Sequence, residues 1–181
     1  MTTSVHVALL RGINVGGKNK VEMPRLRGAF EAAGMQQVST YINTGNVIFA
    51  AADSPDPRTL EHAITEEFGL EIPVLLRSHR AMQEVTTAVP DDWANDDRMK
   101  CDVMFLWEDV DRPELVDELD RREDIDDVRY VSGALLWKVD RSNLTRSRMT
   151  KLVGTKLYRS MTVRNVNTVR KLAALMDETA S

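Results

Sequence analysis

Glycine, asparagine and basic residues crowd into one short segment of this chain, Ala8-Leu9-Leu10-Arg11-Gly12-Ile13-Asn14-Val15-Gly16-Gly17-Lys18-Asn19-Lys20. An apolar run empties there into a loop whose glycines let backbone N–H groups approach a ligand closely, while Arg11, Lys18 and Lys20 add positive charge. The chemistry such a combination suits is anion binding. Gly12 to Lys18 also satisfies G-x-x-x-x-G-K, the spacing of a phosphate-cradling loop. Asn19 stands where Ser or Thr would hold the magnesium ion of a nucleotide, and the next helix begins near Pro24, too late for its first N–H groups to reach a phosphate in the loop. A nucleoside triphosphatase is therefore not expected. Two readings stand: a looser anion nest at Arg11, Asn14, Gly16, Gly17 and Lys18, or a tight chain reversal with solvated lysines.

A second polar group, Asn43, Thr44 and Asn46 around Gly45, has the composition of a hairpin turn. A third lies in the basic C-terminal part. From Lys138 to Lys171 the chain carries Arg141, Arg146, Arg148, Lys151, Lys156, Arg159, Arg164 and Arg170 against a single acid, Asp140, whereas Glu108 to Asp127 is strongly acidic. Arg148, Arg164, Asn165 and Asn167 are the candidates there for phosphate contacts. Tyr158 is the only aromatic residue of that segment before Arg164, so the stacking platforms of single-strand binders are missing. The competing reading is that these cations offset the acidic stretch within one fold. His6, His62 and His79 lie too far apart for metal-ligand spacing, and no metal site is expected. Cys101, the only cysteine, has Val103, Phe105 and Leu106 beside it and reads as a buried structural thiol. No G-x-S-x-G elbow supplies a serine nucleophile.

The elements that must position these groups follow from periodicity and punctuation. Val5 to Leu10 reads as a buried strand, Pro24 to Gly34 as a helix, and Gln37 to Ile42 with Val47 to Ala50 as a hairpin. Asp56-Pro57 opens a helix that runs to Gly69, and Pro73 to Arg77 returns as a strand. This β-α-β-β-α-β order is that of the split β-α-β, ferredoxin-like unit. In such a unit the exit of the first strand and the hairpin between the second and third share one end of the sheet, which should bring Arg11 to Lys20 beside Asn43 to Asn46. A helix over Ser78 to Val89 leads into the polar stretch Pro90 to Arg98. Beyond it Cys101 to Leu106 is a strand, Pro113 to Leu119 a helix, Val128 to Val131 and Leu135 to Val139 a hairpin, and Met149 to Val153 and Val166 to Met176 are helices. The expectation is an α+β protein of two ferredoxin-like subdomains with mainly antiparallel sheets: residues 1–89, a polar joint at 90–99, and residues 100–181 with a basic face. Trp107 and Trp137 are expected to be largely buried.

Length and charge set the outer bounds. The chain has 181 residues and a formal net charge of −4, enough for a buried core and unremarkable for a globular protein. No basic leader precedes an apolar run and no segment approaches the ~20 apolar residues of a membrane span, so a cytoplasmic location without membrane contact is expected.

Taken together, Ala8 to Lys20, Tyr41-Ile42-Asn43-Thr44-Gly45-Asn46-Val47 and Thr162-Val163-Arg164-Asn165-Val166-Asn167-Thr168-Val169-Arg170-Lys171-Leu172 resemble the uncharacterised bacterial family known as domain of unknown function DUF1697. Thr44 stands where many members carry serine, and Val166 where a larger side chain is common. The resemblance implies a small single-chain α+β protein and brings no activity, cofactor or catalytic residue with it. Function then rests on the residues. They suit a protein that binds a phosphate-bearing ligand or nucleic acid through the glycine loop and the basic C-terminal face; the alternative is a small enzyme acting on an anionic metabolite held by Arg11 or Lys18 in a cleft between the subdomains.

Overall fold

The computed structural model of the protein describes residues 3–181. In it the apolar run before the glycine loop becomes β1 (Ser4–Leu10), buried from Val5 through Leu10. Neither face of this strand meets water, which is why its sequence lacks the apolar–polar alternation of a half-exposed strand. Helix α1 (Met23–Ala32) takes Pro24 in its first turn and buries Leu26, Ala29 and Phe30. Then come β2 (Gln36–Tyr41), β3 (Asn46–Ala51), α2 (Pro57–Phe68), β4 (Val74–Ser78) and α3 (His79–Ala88). The limits of α2 are set by its caps. Asp56 accepts a hydrogen bond from the Arg58 N–H at 3.0 Å, and Gly69 ends the helix in the left-handed region at φ 66°.

These strands form a sheet of order β2-β3-β1-β4 in which every neighbouring pair is antiparallel, the arrangement of the split β-α-β fold. One side of it packs Ala8, Leu10 and Phe49 against Leu26 and Phe30 of α1 and Leu60 and Ile64 of α2. Phe30 meets Phe49 edge to face with ring centroids 5.7 Å apart, a contact worth about 1 kcal/mol beyond its buried area.

The second sheet is built from β5 (Met99–Leu106), β6 (Asp127–Val131), β7 (Ala134–Asp140) and β8 (Met161–Asn165), with a single-turn helix α4 (Leu115–Glu118) after β5. Its order, β6-β7-β5-β8, is again antiparallel throughout and repeats the first sheet strand for strand. Met104, Leu106, Leu135, Trp137, Met149 and Leu152 form its core. The protein is thus an α+β fold of two four-stranded antiparallel units. One compact unit runs to Met82 and includes Leu172–Ser181; the other is Gln83–Lys171. The last helix, α5 (Val166–Ala180), contributes residues to each.

Three features depart from the sequence reading. Where a helix is expected around Met149 to Val153, the chain forms three short 3-10 helices, Arg141–Arg146, Met149–Gly154 and Leu157–Ser160. Thr145, Thr150, Val153, Gly154 and Thr155 deny this stretch the run of helix formers that an α-helix needs. Strand β8 has no counterpart in the reading, because Thr162 and Arg164 are polar residues buried on a five-residue strand and no alternation announces it. Trp107 is half-buried, since it lies just past the end of β5, where its N–H donates to the Ser160 carbonyl at 3.0 Å. Trp137 and Cys101 are buried, and burial pushes the Cys101 thiol up to about 11.

Candidate functional site

The glycine loop is a miniature hairpin. Val15 and Lys18 pair across it, with the Lys18 N–H donating to the Val15 carbonyl at 3.0 Å. Gly16 and Gly17 occupy φ 58° and 75°, the two positive values of a type I′ turn, which glycine adopts without strain. Asn14 and Asn19, also at positive φ, flank the turn, and the Asn14 N–H donates to the Asn19 carbonyl at 3.1 Å. Their side chains brace the base. Asn14 Nδ2 donates to the carbonyls of Val21 at 3.0 Å and Asn43 at 2.7 Å, while its Oδ1 accepts from the Val21 N–H at 2.9 Å. Asn19 Nδ2 donates to the Gly12 carbonyl at 2.9 Å.

The bond from Asn14 to Asn43 shows that the loop and the β2–β3 hairpin share one end of the sheet, as the topology requires. A second link is the Leu10 N–H donating to the Gly45 carbonyl at 2.8 Å. Contact there is close enough that a Cβ on Gly45 would come within 2.7 Å of Leu10 Cβ and 2.8 Å of Ile13 Cδ1. Asn46 is fully buried, its Nδ2 donating at 3.0 Å to both the Tyr41 carbonyl and Thr44 Oγ1. Asn14 and Asn46 therefore spend their amides on protein oxygens and hold the site's shape. Lys18, Lys20, Asn43 and Thr44 are exposed and Arg11 is half-buried. Helix α1 starts at Met23 behind Glu22, which makes no side-chain cap, so no helix N-terminus stands directly behind the loop as in a nucleotide-binding P-loop.

The C-terminal candidates have separate fates. Arg148 is exposed and donates to Asp120 Oδ1 at 3.0 Å. Arg164 is buried, donating through Nη1 to Thr162 Oγ1 at 3.0 Å and to the Val163 carbonyl at 2.9 Å; desolvation lowers its pKa to about 10. Asn165 Oδ1 accepts from the Thr168 N–H at 2.9 Å and caps α5. Asn167 is clasped with Asn95, donating to its carbonyl at 2.8 Å and accepting from its N–H at 3.2 Å. Arg170 adds donations to the carbonyls of Trp93 at 2.5 Å and Pro90 at 3.0 Å. The motif Arg164 to Arg170 thus pins down the polar stretch that follows α3. A group absent from the sequence reading stands on β5, where Lys100 and Asp102 form an ion pair at 3.1 Å. Its only signal in the sequence is the period-two spacing that places both on one face of a strand.

Two ferredoxin-like units of one strand order define the class of protein. The chain belongs to the family described as "Protein of unknown function (DUF1697)", whose match spans residues 1–137. It is similar to the conserved bacterial protein SP0830 from Streptococcus pneumoniae, at 26% identity and a TM-score of 0.83, over 97% of this chain and 99% of that one. No curated protein matches it. Among the described residues no helix is long and apolar enough to cross a membrane, and no group of three or more His, Cys, Asp and Glu is placed to hold a metal ion.

Proposed function

We propose that the glycine-loop end of the first unit binds the phosphate backbone of a nucleic acid. The observation that carries this reading is the charge and shape of the tip. The two segments that meet there, residues 8–21 and 36–51, contain Arg11, Lys18 and Lys20 and no acidic residue, in a chain with 28 acids and 24 lysines and arginines. Val15 to Lys20 are all exposed, so Lys18 and Lys20 stand on an exposed turn with the half-buried Arg11 before it. Such a tip reaches an extended backbone, whereas a lone small anion is better held in a concavity. The braces from Asn14 and Asn19 fix the turn beforehand, which lowers the entropy lost on binding. Val15 and Ile42, 67% and 45% exposed, offer apolar surface to sugars and bases. Arg164 and Arg148 take no part in this reading, because Arg164 is buried and Arg148 is paired.

Fluorescence anisotropy with labelled single-stranded RNA and DNA over a series of salt concentrations tests the proposal. Each phosphate contact contributes a slope of about −0.7 to log K against log salt on a single strand, so three cations give about −2. Joint Lys18→Ala and Lys20→Ala substitution should flatten the slope by about 1.4 and leave the melting temperature in place, both lysines being exposed. Binding that ignores salt, or that survives the double substitution unchanged, overturns it.

A further inference from the structure

We infer that the second unit holds, independently of the glycine loop, a site for a small molecule with an apolar body and one anionic head group, lodged between the face of the second sheet and the 3-10 segment. In the first unit the equivalent position is filled by α2, whose Leu60 and Ile64 close over the sheet. The 3-10 helices that replace it leave a cavity of about 450 Å³, a size typical of small-molecule sites.

Donors dominate its polar end. Lys100 Nζ stands 3.1 Å from Asp102 and 5.9 Å from the centre of the Trp137 ring. Arg141 is held in place by donating through Nε to the Asp96 carbonyl and through Nη2 to Asn95 Oδ1 at 3.3 Å. That second bond occupies the side-chain oxygen of Asn95, and the Thr168 N–H occupies that of Asn165 at 2.9 Å. Both amides line the cavity, and with their oxygens already accepting these bonds their NH2 groups serve as donors. Two cations and two amide donors face a single carboxylate, Asp102, so the set favours an anion and disfavours a cation. Met104, Met149, Leu152 and Val163 supply the apolar wall. Val153 lies beside them, 63% exposed, where an apolar ligand would cover it.

Calorimetric titration of the whole protein with octanoate, octan-1-ol and octylammonium separates head from body. Octanoate should bind roughly tenfold or more tighter than either of the others, the effect of a charge-assisted hydrogen bond. Joint Lys100→Ala and Arg141→Ala substitution should remove that preference. Val153→Glu, at an exposed position that leaves the fold intact, should weaken octanoate by a similar factor. Backbone amide resonances of Lys100, Met104 and Val163 should shift on octanoate addition while those of Gly16 and Lys18 stay. Equal binding of the three probes, no octanoate binding in the millimolar range, or a Val153→Glu protein that binds octanoate as the parent does would each overturn the inference.

Discussion

Histidine 6 shows how a single side chain ties this fold to pH. It lies on β1, stacked on Phe49 with ring centroids 5.9 Å apart and hydrogen-bonded to Ser4 Oγ at 2.8 Å. Burial lowers its pKa from the ordinary 6.5, because the charged imidazolium loses water that the apolar surroundings do not replace. The unfolded chain takes up the proton near 6.5, while the folded chain resists it to lower pH. Protons therefore bind preferentially to the unfolded state in that interval, and stability falls as pH drops below about 6.5. Urea unfolding on either side of that pH should show the fall in the parent and a shallower one in His6→Gln. An identical pH profile in the two proteins would mean that other groups set the slope. Asparagines, too, have roles that residue type alone does not disclose: Asn14 and Asn46 have the composition of a ligand site and the bonding of a frame.

At the scale of elements, two turns at one end of a sheet differ in what they tolerate. Gly45 has φ 90° and no room for a Cβ against Leu10 and Ile13, whereas Gly16 has φ 58° and open space around it. Gly45→Ala should cost about 2–4 kcal/mol, from strain and overpacking together, and Gly16→Ala about 1 kcal/mol from backbone conformation alone. Denaturant midpoints decide between this and the alternative of equal costs. The same contrast explains what the sequence discloses. Asp56-Pro57, Gly69 and Asn165 act within a few residues of themselves, so the limits of α2 and the start of α5 are legible, and the strand order of the first unit follows from its elements. The shared end of loop and hairpin follows from that order. The ion pair of Lys100 with Asp102 shows only as a period-two spacing on one strand; strand β8 pairs with β5, about sixty residues earlier in the chain, and no local pattern marks it. Arg164 misleads for the same reason, since a lone arginine in a basic stretch reads as surface until its strand is known.

For the whole molecule, the division into units does not follow the chain from end to end. Leu172–Ser181 belongs with the unit that runs to Met82, and Leu172, Ala173 and Met176 there are buried. His79 and Asp177 of that unit meet at 2.5 Å. A fragment of residues 1–82 should therefore lack cooperative unfolding and bind the dye ANS, as partly packed states do. Joining 172–181 to it through a flexible linker should restore a sharp transition. A fragment of 1–82 that melts cooperatively by itself would show the helix end to be dispensable. During synthesis on a ribosome this arrangement has a temporal consequence: the strands made first must wait, incompletely sealed, until the entire second unit has been translated and the final helix emerges, so that the second unit can finish folding before the one that precedes it.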